Sequence, residues 1–206
     1  MSFIKSPGKS LWRRSAVVLG AVTLAGSAAL SIGLTAAGAA PAKEHSISFK
    51  LIPSPGIKAC LPHAAGKATI TAGDLNDVMT VSISGMPPGA GFDLFVIQTP
   101  NKPFGVSWYQ TDVQAGRSGK GTATVRGVFD SQTFSVVPGA TTPTPIHQLH
   151  LGLWFNNPRT PFNLGCEGSV AAPIITPFNG EQHAGIQVLN TANFPINKGP
   201  LSKLHR

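Results

Sequence analysis

The chain has 206 residues, and its 16 lysines and arginines against 8 aspartates and glutamates give a formal charge of +8. Residues 1–42 contain four of the sixteen basic residues and none of the eight acidic ones, so the remainder of the chain carries +4. A charge of this size, on basic residues scattered from Lys43 to Arg206, does not predict a nucleic-acid partner. The remaining stretch, residues 43–206, is about 164 residues long and suffices for a single domain with a substantial core.

The N-terminal segment, residues 1–42, has the features of a cleavable export signal. Basic residues precede an uncharged, mildly apolar run at 16–40 that is rich in alanine, glycine, serine and threonine. Small residues at 37–39 and at 40–42 offer two sites that fit a signal peptidase. We therefore predict a signal peptide over residues 1–42, with an apolar signal helix ahead of the domain.

The route and the end point of export each have two interpretations. The pair Arg13-Arg14 precedes the apolar run, as in twin-arginine signals, so this route is an alternative to general secretory (Sec) export. The run at 16–40 is long enough to cross a bilayer, so an uncleaved membrane helix is the alternative to cleavage. We expect a secreted or extracytoplasmic protein, or else one tethered to the membrane by residues 16–40.

The two cysteines, Cys60 and Cys166, both lie in the exported part of the chain. An even number of cysteines in an oxidising compartment predicts a disulfide, and closing so long a loop contributes about 4 kcal/mol on the chain-entropy model. A metal site is the alternative, since His63 is close to Cys60, but no CxxC or HxH spacing supports it. We predict a Cys60–Cys166 disulfide, no metal ligand and no cofactor.

Short alternating runs, broken by glycine, proline, asparagine and aspartate, replace helical periodicity in residues 43–206. In residues 79–84, apolar and polar side chains alternate, which indicates a strand with one buried and one solvated face. Residues 92–97 are apolar in both registers apart from Asp93, which indicates a central strand. The pattern predicts an all-β, two-sheet sandwich of about nine strands. They cover residues 46–52, 67–72, 79–84, 92–97, 106–111, 122–129, 133–137, 147–155 and 184–190.

Two proline-rich connections and a polar tail complete the predicted domain. The segment between Phe155 and His183 is rich in proline, glycine and asparagine and contains Cys166, so we expect a long ordered loop held by the disulfide. Residues 137–145 are expected to cross between sheets. The tail at 193–206 is expected to lie along the surface.

One hairpin and three further phrases resemble known sequences. Residues 81–97, with the turn Gly85-Met86-Pro87-Pro88-Gly89, resemble the strand, Leu-Pro-Pro-Gly turn and strand of immunoglobulin-like and fibronectin-like sandwiches. The phrases at 101–110 (NKPFGVSWYQ), 150–155 (HLGLWF) and 176–191 resemble a group of uncharacterised secreted bacterial β-sandwich proteins. The resemblance implies a secreted β-sandwich and no particular activity.

The candidate binding residues come from two late strands. His150 and Trp154 share one face of the strand at 147–155, and Gly152 is expected to leave an open slot between the imidazole and the indole. If the strand at 184–190 pairs with it, imidazole, carboxylate, amide and indole groups share a polar face that suits sugar or metal binding. The alternative is that each histidine decorates a solvated face or forms hydrogen bonds within the sandwich. The candidates are His150, Trp154, Glu181, His183 and Gln187.

The pair Trp108-Tyr109 is a second aromatic cluster. Trp108 shares a strand face with Val106 and is expected to anchor the core. Tyr109 points the opposite way, so it is a candidate surface contact. Packing at the rim of the core is the alternative for Tyr109.

Known catalytic motifs do not occur in residues 43–206, which contain no G-x-S-x-G, H-E-x-x-H or Walker sequence, and no catalytic residue is predicted. We expect a non-catalytic extracytoplasmic binding or envelope-associated module, with a carbohydrate, an envelope component or a protein as its partner. The alternative is a small secreted hydrolase or metal-dependent enzyme that uses His150, His183 and Glu181. Contact with a membrane is expected only through an uncleaved N-terminal segment.

Overall fold

The computed structural model describes residues 45–131, 133–136, 139, 144–177 and 183–204. The predicted export signal, most of the connection at 137–145 and Glu181 lie outside these residues. None of the described helices is long and apolar enough to span a membrane. The described strands are β1 (Ser46–Pro53), β2 (Ala65–Thr71), β3 (Asp77–Ser84), β4 (Gly91–Ile97), β5 (Ser107–Gln114), β6 (Gly121–Gly127), β7 (Phe134–Ser135), β8 (Ile146–His147), β9 (His150–Phe155), β10 (Thr176–Pro177), β11 (His183–Ala184) and β12 (Gln187–Asn190). The described helices are α1 (Ile57–Cys60), α2 (Arg159–Asn163) and two 3-10 turns, Ile196–Lys198 and Pro200–Lys203.

Eight of the strands form one antiparallel sheet in the order β5-β4-β9-β12-β1-β2-β3-β6, and this sheet nearly closes into a barrel. Strand β1 joins the two halves, because residues 46–51 pair with β2 while Ile52 and Pro53 pair with β12. The edge strands β5 and β6 are consecutive in the chain and contact each other. The predicted β-rich class is confirmed. Because strand pairing is continuous through β1, the eight strands form one sheet and are not clearly divided into the two sheets of the predicted sandwich.

The nearly closed sheet encloses the main apolar core. On β3, Met79, Val81 and Ile83 point inward and are buried, as the alternating sequence predicts. Burial of a large apolar side chain contributes about 1.5–3 kcal/mol, because it removes apolar surface from water. The alternating residues of β3 thus fix which face of this strand is internal.

Strand β4 lies between β5 and β9 and is buried on both faces, which confirms the central position predicted for residues 92–97. Its even-numbered apolar residues enter the main core, whereas Phe95 and Ile97 join a smaller cluster with Trp154 and Ala184. Phe104, from the loop after β4, packs against this second cluster. The opposite face of the sheet is therefore covered here and not solvated.

The predicted disulfide is present, with the Cys60 and Cys166 sulfurs 2.03 Å apart and their Cα atoms 5.0 Å apart. Cys60 ends α1, shortly after β1, and Cys166 follows α2 in the long loop after β9. The Cys166 amide donates a hydrogen bond to the Pro161 carbonyl over 2.9 Å, which closes a turn behind α2. The bridge therefore ties the long loop to the start of the domain.

The C-terminal tail is partly buried, so the expectation that it lies along the surface was wrong. Leu201 and Leu204 have 0 % exposure and belong to the main core. The Leu201 amide also donates to the Leu149 carbonyl over 3.3 Å. The two leucines are one 3-10 turn apart, which places both on the same side of an otherwise polar segment.

Candidate functional site

A cleft lies between the long loop after β9 and the turn that joins β1 to α1. Its volume of about 570 Å³ is within the range of small-molecule sites, and we call it the loop cleft. The loop between β4 and β5 and the strand β12 complete its walls. The walls include Ser54, Gly56, Lys102, Phe104, Cys166, Glu167, Thr176 and Gln187.

The turn between β1 and α1 is shaped by Gly56. Its φ of 86° lies in the left-handed region, which favours glycine over residues that carry a Cβ. A Cβ added at Gly56 would lie 3.8 Å from the Cys166 carbonyl oxygen, so the turn runs against the disulfide-bonded part of the long loop. The Ser54 amide donates to the Val188 carbonyl over 3.0 Å, which fixes this wall to β12.

Gln187, one of the predicted binding residues, lines the loop cleft with a hydrogen-bonded amide. Its Oε1 accepts from Ser54 Oγ and from Asn190 Nδ2, both over 2.8 Å. Its Nε2 donates to the Pro100 carbonyl over 3.2 Å, and the residue is 8 % exposed. Both ends of the amide form hydrogen bonds within the protein, so Gln187 holds the walls of the loop cleft together.

Two charged side chains line the loop cleft, Glu167 from the long loop and Lys102 from the loop between β4 and β5. Glu167 Oε2 accepts a hydrogen bond from the Ile174 amide over 2.8 Å, which braces the long loop. The other oxygen, Oε1, is buried and has no hydrogen-bond partner among the described residues. A buried carboxylate oxygen without a partner costs free energy, so a donor that reached it would stabilise the protein.

Aromatic contacts connect the loop cleft to the outer side of β5. Phe104 packs edge-on against Trp154, with ring centroids 4.8 Å apart, and Trp154 packs edge-on against Phe95 at 5.4 Å. Phe95 contacts the Tyr109 ring at 5.6 Å. Trp154 has 0 % exposure, so this predicted binding residue supports the cleft wall at Phe104 and does not face solvent.

Strand β12 pairs with β9, as the hypothesis of a shared face required, and Gln187 lies opposite Trp154. The open slot expected at Gly152, between His150 and Trp154, is absent from these described strands. A Cβ at Gly152 would collide with the Trp154 ring and would lie 2.9 Å from Gln187 Nε2. Glycine is needed at this position because the Trp154 indole lies across it. The expectation of an open slot at Gly152 was therefore wrong.

His150 is buried and hydrogen-bonded at both ring nitrogens. Its Nδ1 lies 2.9 Å from Thr191 Oγ1, and its Nε2 lies 3.0 Å from the Ile196 carbonyl oxygen. A carbonyl only accepts, so Nε2 donates, and Nδ1 of the neutral ring accepts from the Thr191 hydroxyl. Burial lowers the pKa of His150 below its ordinary value, which favours this neutral form. His150 is thus a structural residue, which is the alternative that the sequence left open.

The other predicted residues do not gather around His150. His183 is exposed on β11, opposite Pro177, and Tyr109 is 53 % exposed on β5. Glu181 lies outside the described residues. Within the described ranges, no group of three or more histidine, cysteine, aspartate and glutamate side chains could hold a metal ion.

Trp108 is 57 % exposed, so the expectation that it anchors the core was wrong. It lies opposite Val96 on the edge strand β5. There it borders a hollow of about 420 Å³ together with Val128 and Phe134. An edge strand has a neighbouring strand on one side only, so alternation along the sequence overestimates how far its inward residues are covered.

A carboxyl pair on β4 and β5 was missed in the sequence. Asp93 and Asp112 are cross-strand partners, and the Tyr109 hydroxyl donates to Asp112 Oδ1 over 2.9 Å. The pairing register shifts between Leu94 and Phe95, and this bulge brings Tyr109 and Asp112 to the same face although they are three residues apart. The available signal was Asp93 itself, an acidic residue within an apolar strand.

The carboxyl pair can take up a proton in mildly acidic solution. Burial, together with the hydrogen bond and charge of Asp112, raises the pKa of Asp93 to about 6. Asn156 Nδ2, 3.4 Å from Asp93 Oδ1, acts in the opposite direction. Burial and then the bond to Asp112 raise the pKa of Tyr109 to about 12. The Tyr109 hydroxyl therefore keeps its proton and remains a donor to Asp112.

The chain matches no known family model, and no curated protein shows significant similarity to its sequence. Function is therefore inferred from the geometry and chemistry of the described residues. The loop cleft is where the long loop, its disulfide and the predicted residue Gln187 come together.

Proposed function

We propose that the protein is an exported, non-catalytic binding module whose ligand occupies the loop cleft. The observation that carries the proposal is a ligand-sized cleft whose loop wall is held by the Cys60–Cys166 bridge. A loop that is already restricted loses less conformational entropy when a ligand orders it. This arrangement favours binding by a preformed site.

The walls of the loop cleft define the kind of ligand that fits. Pro55, Phe104 and Ile186 offer apolar contact, Lys102 offers an ammonium group, and Glu167 offers a carboxylate. A small molecule, or the terminal group of a carbohydrate, an envelope component or a protein, fits if it carries an apolar part and a charged end. Most of its binding free energy then comes from the apolar contact, and the charged pair sets its orientation.

Export to an oxidising compartment is part of the proposal. The Cys60–Cys166 bridge and the signal predicted at residues 1–42 both support it. Retention of residues 16–40 as a membrane tether is the alternative to secretion.

The resemblance to secreted bacterial β-sandwich proteins belongs to the same proposal. In it, the halves β5-β4-β9-β12 and β1-β2-β3-β6 act as the two layers of a sandwich. The support is that apolar residues of β3 and of β4 belong to one core cluster, and that β1 connects the halves. Two layers around a single core are the expected form of a sandwich domain.

A hydrolase or metal-dependent enzyme has less support. That alternative uses His150, His183 and Glu181, and a catalytic acid or base must reach its substrate. His150 is fully buried, and both of its ring nitrogens are engaged by Thr191 and Ile196. We therefore do not assign a catalytic role to it.

The dye 1-anilinonaphthalene-8-sulfonate (ANS) tests the proposal, because its apolar rings and its sulfonate suit Phe104 and Lys102. We expect saturable binding at a single site in a fluorescence titration of the purified protein. The substitution Thr176→Trp fills the loop cleft and should weaken ANS binding at least about tenfold, which corresponds to about 1.4 kcal/mol.

The matched control is Thr124→Trp, which places the same side chain on the exposed face of β6 and should leave ANS binding unchanged. Melting temperatures of both variants show whether the fold is retained. An unchanged dissociation constant in a folded Thr176→Trp variant would contradict the proposal.

A further inference from the structure

Four lysines from separate parts of the chain converge on the outer face of the half-sheet β1-β2-β3-β6. Lys50 lies on β1, Lys58 on α1, Lys67 on β2 and Lys120 in the turn before β6, and all four are exposed. They line one groove of about 730 Å³, which we call the basic groove. The basic groove and the loop cleft have no lining residue in common.

The strand register arranges the basic groove as a row of polar groups. Lys50 lies directly opposite Lys67, Lys67 opposite Ser82, and Ser82 opposite Thr122. Adjacent strands are about 4.8 Å apart, so the row extends about 15 Å across the sheet. Ser82 Oγ and Thr122 Oγ1 lie 3.2 Å apart and continue the row with hydroxyl groups.

No exposed carboxylate on the described strands β1, β2, β3 and β6 balances the positive charge of the basic groove. Lysines directly opposite each other on neighbouring strands repel, which destabilises the pairing. Within the described elements β1, β2, β3, β6 and α1, the one acidic residue is Asp77, which is buried and accepts a hydrogen bond from the Phe129 amide over 2.7 Å. The facing pair Lys50 and Lys67 therefore lacks a carboxylate on its own strands.

We propose that the basic groove binds an anionic polysaccharide. The lysine ammonium groups match carboxylate or other acidic groups along such a polymer, and the hydroxyls of Ser82, Ser84 and Thr122 match its sugar hydroxyls. None of the described lining residues is aromatic, so the groove lacks the stacking platforms on which single-stranded nucleic acids bind. The exposed side chains of the groove are the four lysines, Ser82, Thr122 and the small Ala65, so it presents no large exposed apolar side chain that could insert into a lipid surface.

Polygalacturonate is the probe for the basic groove, with uncharged dextran as its neutral counterpart. We expect the purified protein to bind polygalacturonate and not dextran in isothermal titration calorimetry, and added sodium chloride to weaken the binding. The double substitution Lys50→Gln with Lys67→Gln should weaken it at least about tenfold. Because the change relieves repulsion, the melting temperature should stay the same or rise, which separates lost binding from lost folding.

The control is the double substitution Arg159→Gln with Lys198→Gln, which removes the same charge from exposed positions outside the groove. It should change the affinity by less than about twofold, since distant exposed charges are screened. Equal weakening in both double variants would overturn the proposal, and so would the absence of measurable binding. Tighter binding of a double-stranded DNA oligonucleotide or of phosphatidylglycerol vesicles would overturn it as well.

The basic groove and the loop cleft are tested separately. Lys50→Gln with Lys67→Gln should leave ANS binding unchanged, and Thr176→Trp should leave polygalacturonate binding unchanged. Failure of either binding assay therefore counts against one surface and not against the other.

Discussion

At the scale of single residues, His150 joins three parts of the chain. Its ring connects β9 to Thr191, after β12, and to Ile196 in the C-terminal tail. Thr191 Oγ1 in turn accepts a hydrogen bond from the Leu151 amide over 3.1 Å. The imidazole is thus part of a buried network, and such networks stabilise a fold when all their members are paired.

The substitution His150→Phe should destabilise the protein by about 2 kcal/mol, because it leaves the Thr191 hydroxyl and the Ile196 carbonyl without this partner. Urea unfolding followed by fluorescence measures the change. His183→Phe is the matched control at an exposed position, where we expect less than about 0.5 kcal/mol. Equal losses in the two variants would rule out a special structural role for His150.

Asp93 should make stability depend on pH. Its pKa is 3.8 when unperturbed and about 6 in the folded protein, so the folded state binds the proton more tightly than the unfolded state. The contribution of Asp93 to the free energy of unfolding is therefore fully present below about pH 3.8 and is lost as the pH rises through about 6. At neutral pH, the ionised Asp93 carboxyl destabilises the folded state, because it is buried and lies beside Asp112.

The substitution Asp93→Asn should stabilise the protein by about 1–2 kcal/mol at pH 8 and have little effect at pH 4, because asparagine resembles the protonated carboxyl. Urea unfolding of the variant and the wild type at both pH values measures this difference, and other titrating groups cancel in the comparison. A gain of the same size at both pH values would point to packing and not to charge.

At the scale of elements, the Cys60–Cys166 bridge holds the long loop. Removing it with Cys60→Ala and Cys166→Ala should lower the free energy of unfolding by about 2–4 kcal/mol. Amide hydrogen exchange in residues 166–177 should also accelerate more than exchange in β3, because the loop loses its tie to α1. An unchanged exchange rate in the loop would show that hydrogen bonds such as that from Ile174 to Glu167 hold it without the bridge.

Element positions could be predicted where local chemistry determines them. Alternation in residues 79–84 and the apolar run at 92–97 gave β3 and β4 the correct positions, because side-chain burial follows the two-residue period of a strand. The bulge on β5 could not be predicted, since it depends on pairing with β4. That bulge is why Tyr109 and Asp112, which alternation assigns to opposite faces, share one face.

The predictions for the C-terminal tail and for Trp108 were wrong for a related reason. Leu201 and Leu204 are two apolar residues within a polar segment, and their burial depends on core space left open by distant strands. The exposure of Trp108 depends on the edge position of β5, which is set by the order of all eight strands. Long-range packing therefore decides what local pattern leaves undetermined.

At the scale of the whole molecule, the fold creates two surfaces from residues that are far apart in sequence. The basic groove collects lysines between Lys50 and Lys120, which looked scattered along the chain. The loop cleft collects Ser54, Lys102 and Glu167, and of the predicted binding residues it contains Gln187. The disulfide was predictable because the chain has one cysteine pair, whereas neither surface was, since each depends on sheet register and loop packing.

The loop cleft is tested most directly by two-dimensional nitrogen–proton NMR of the purified protein during titration with ANS. We expect saturable shifts in the backbone amides of Gly56, Phe104, Gly168 and Thr176, with the amides of β3 unchanged. Shifts confined to the hollow beside Trp108, or a titration that does not saturate, would contradict the assignment of the loop cleft as the binding site.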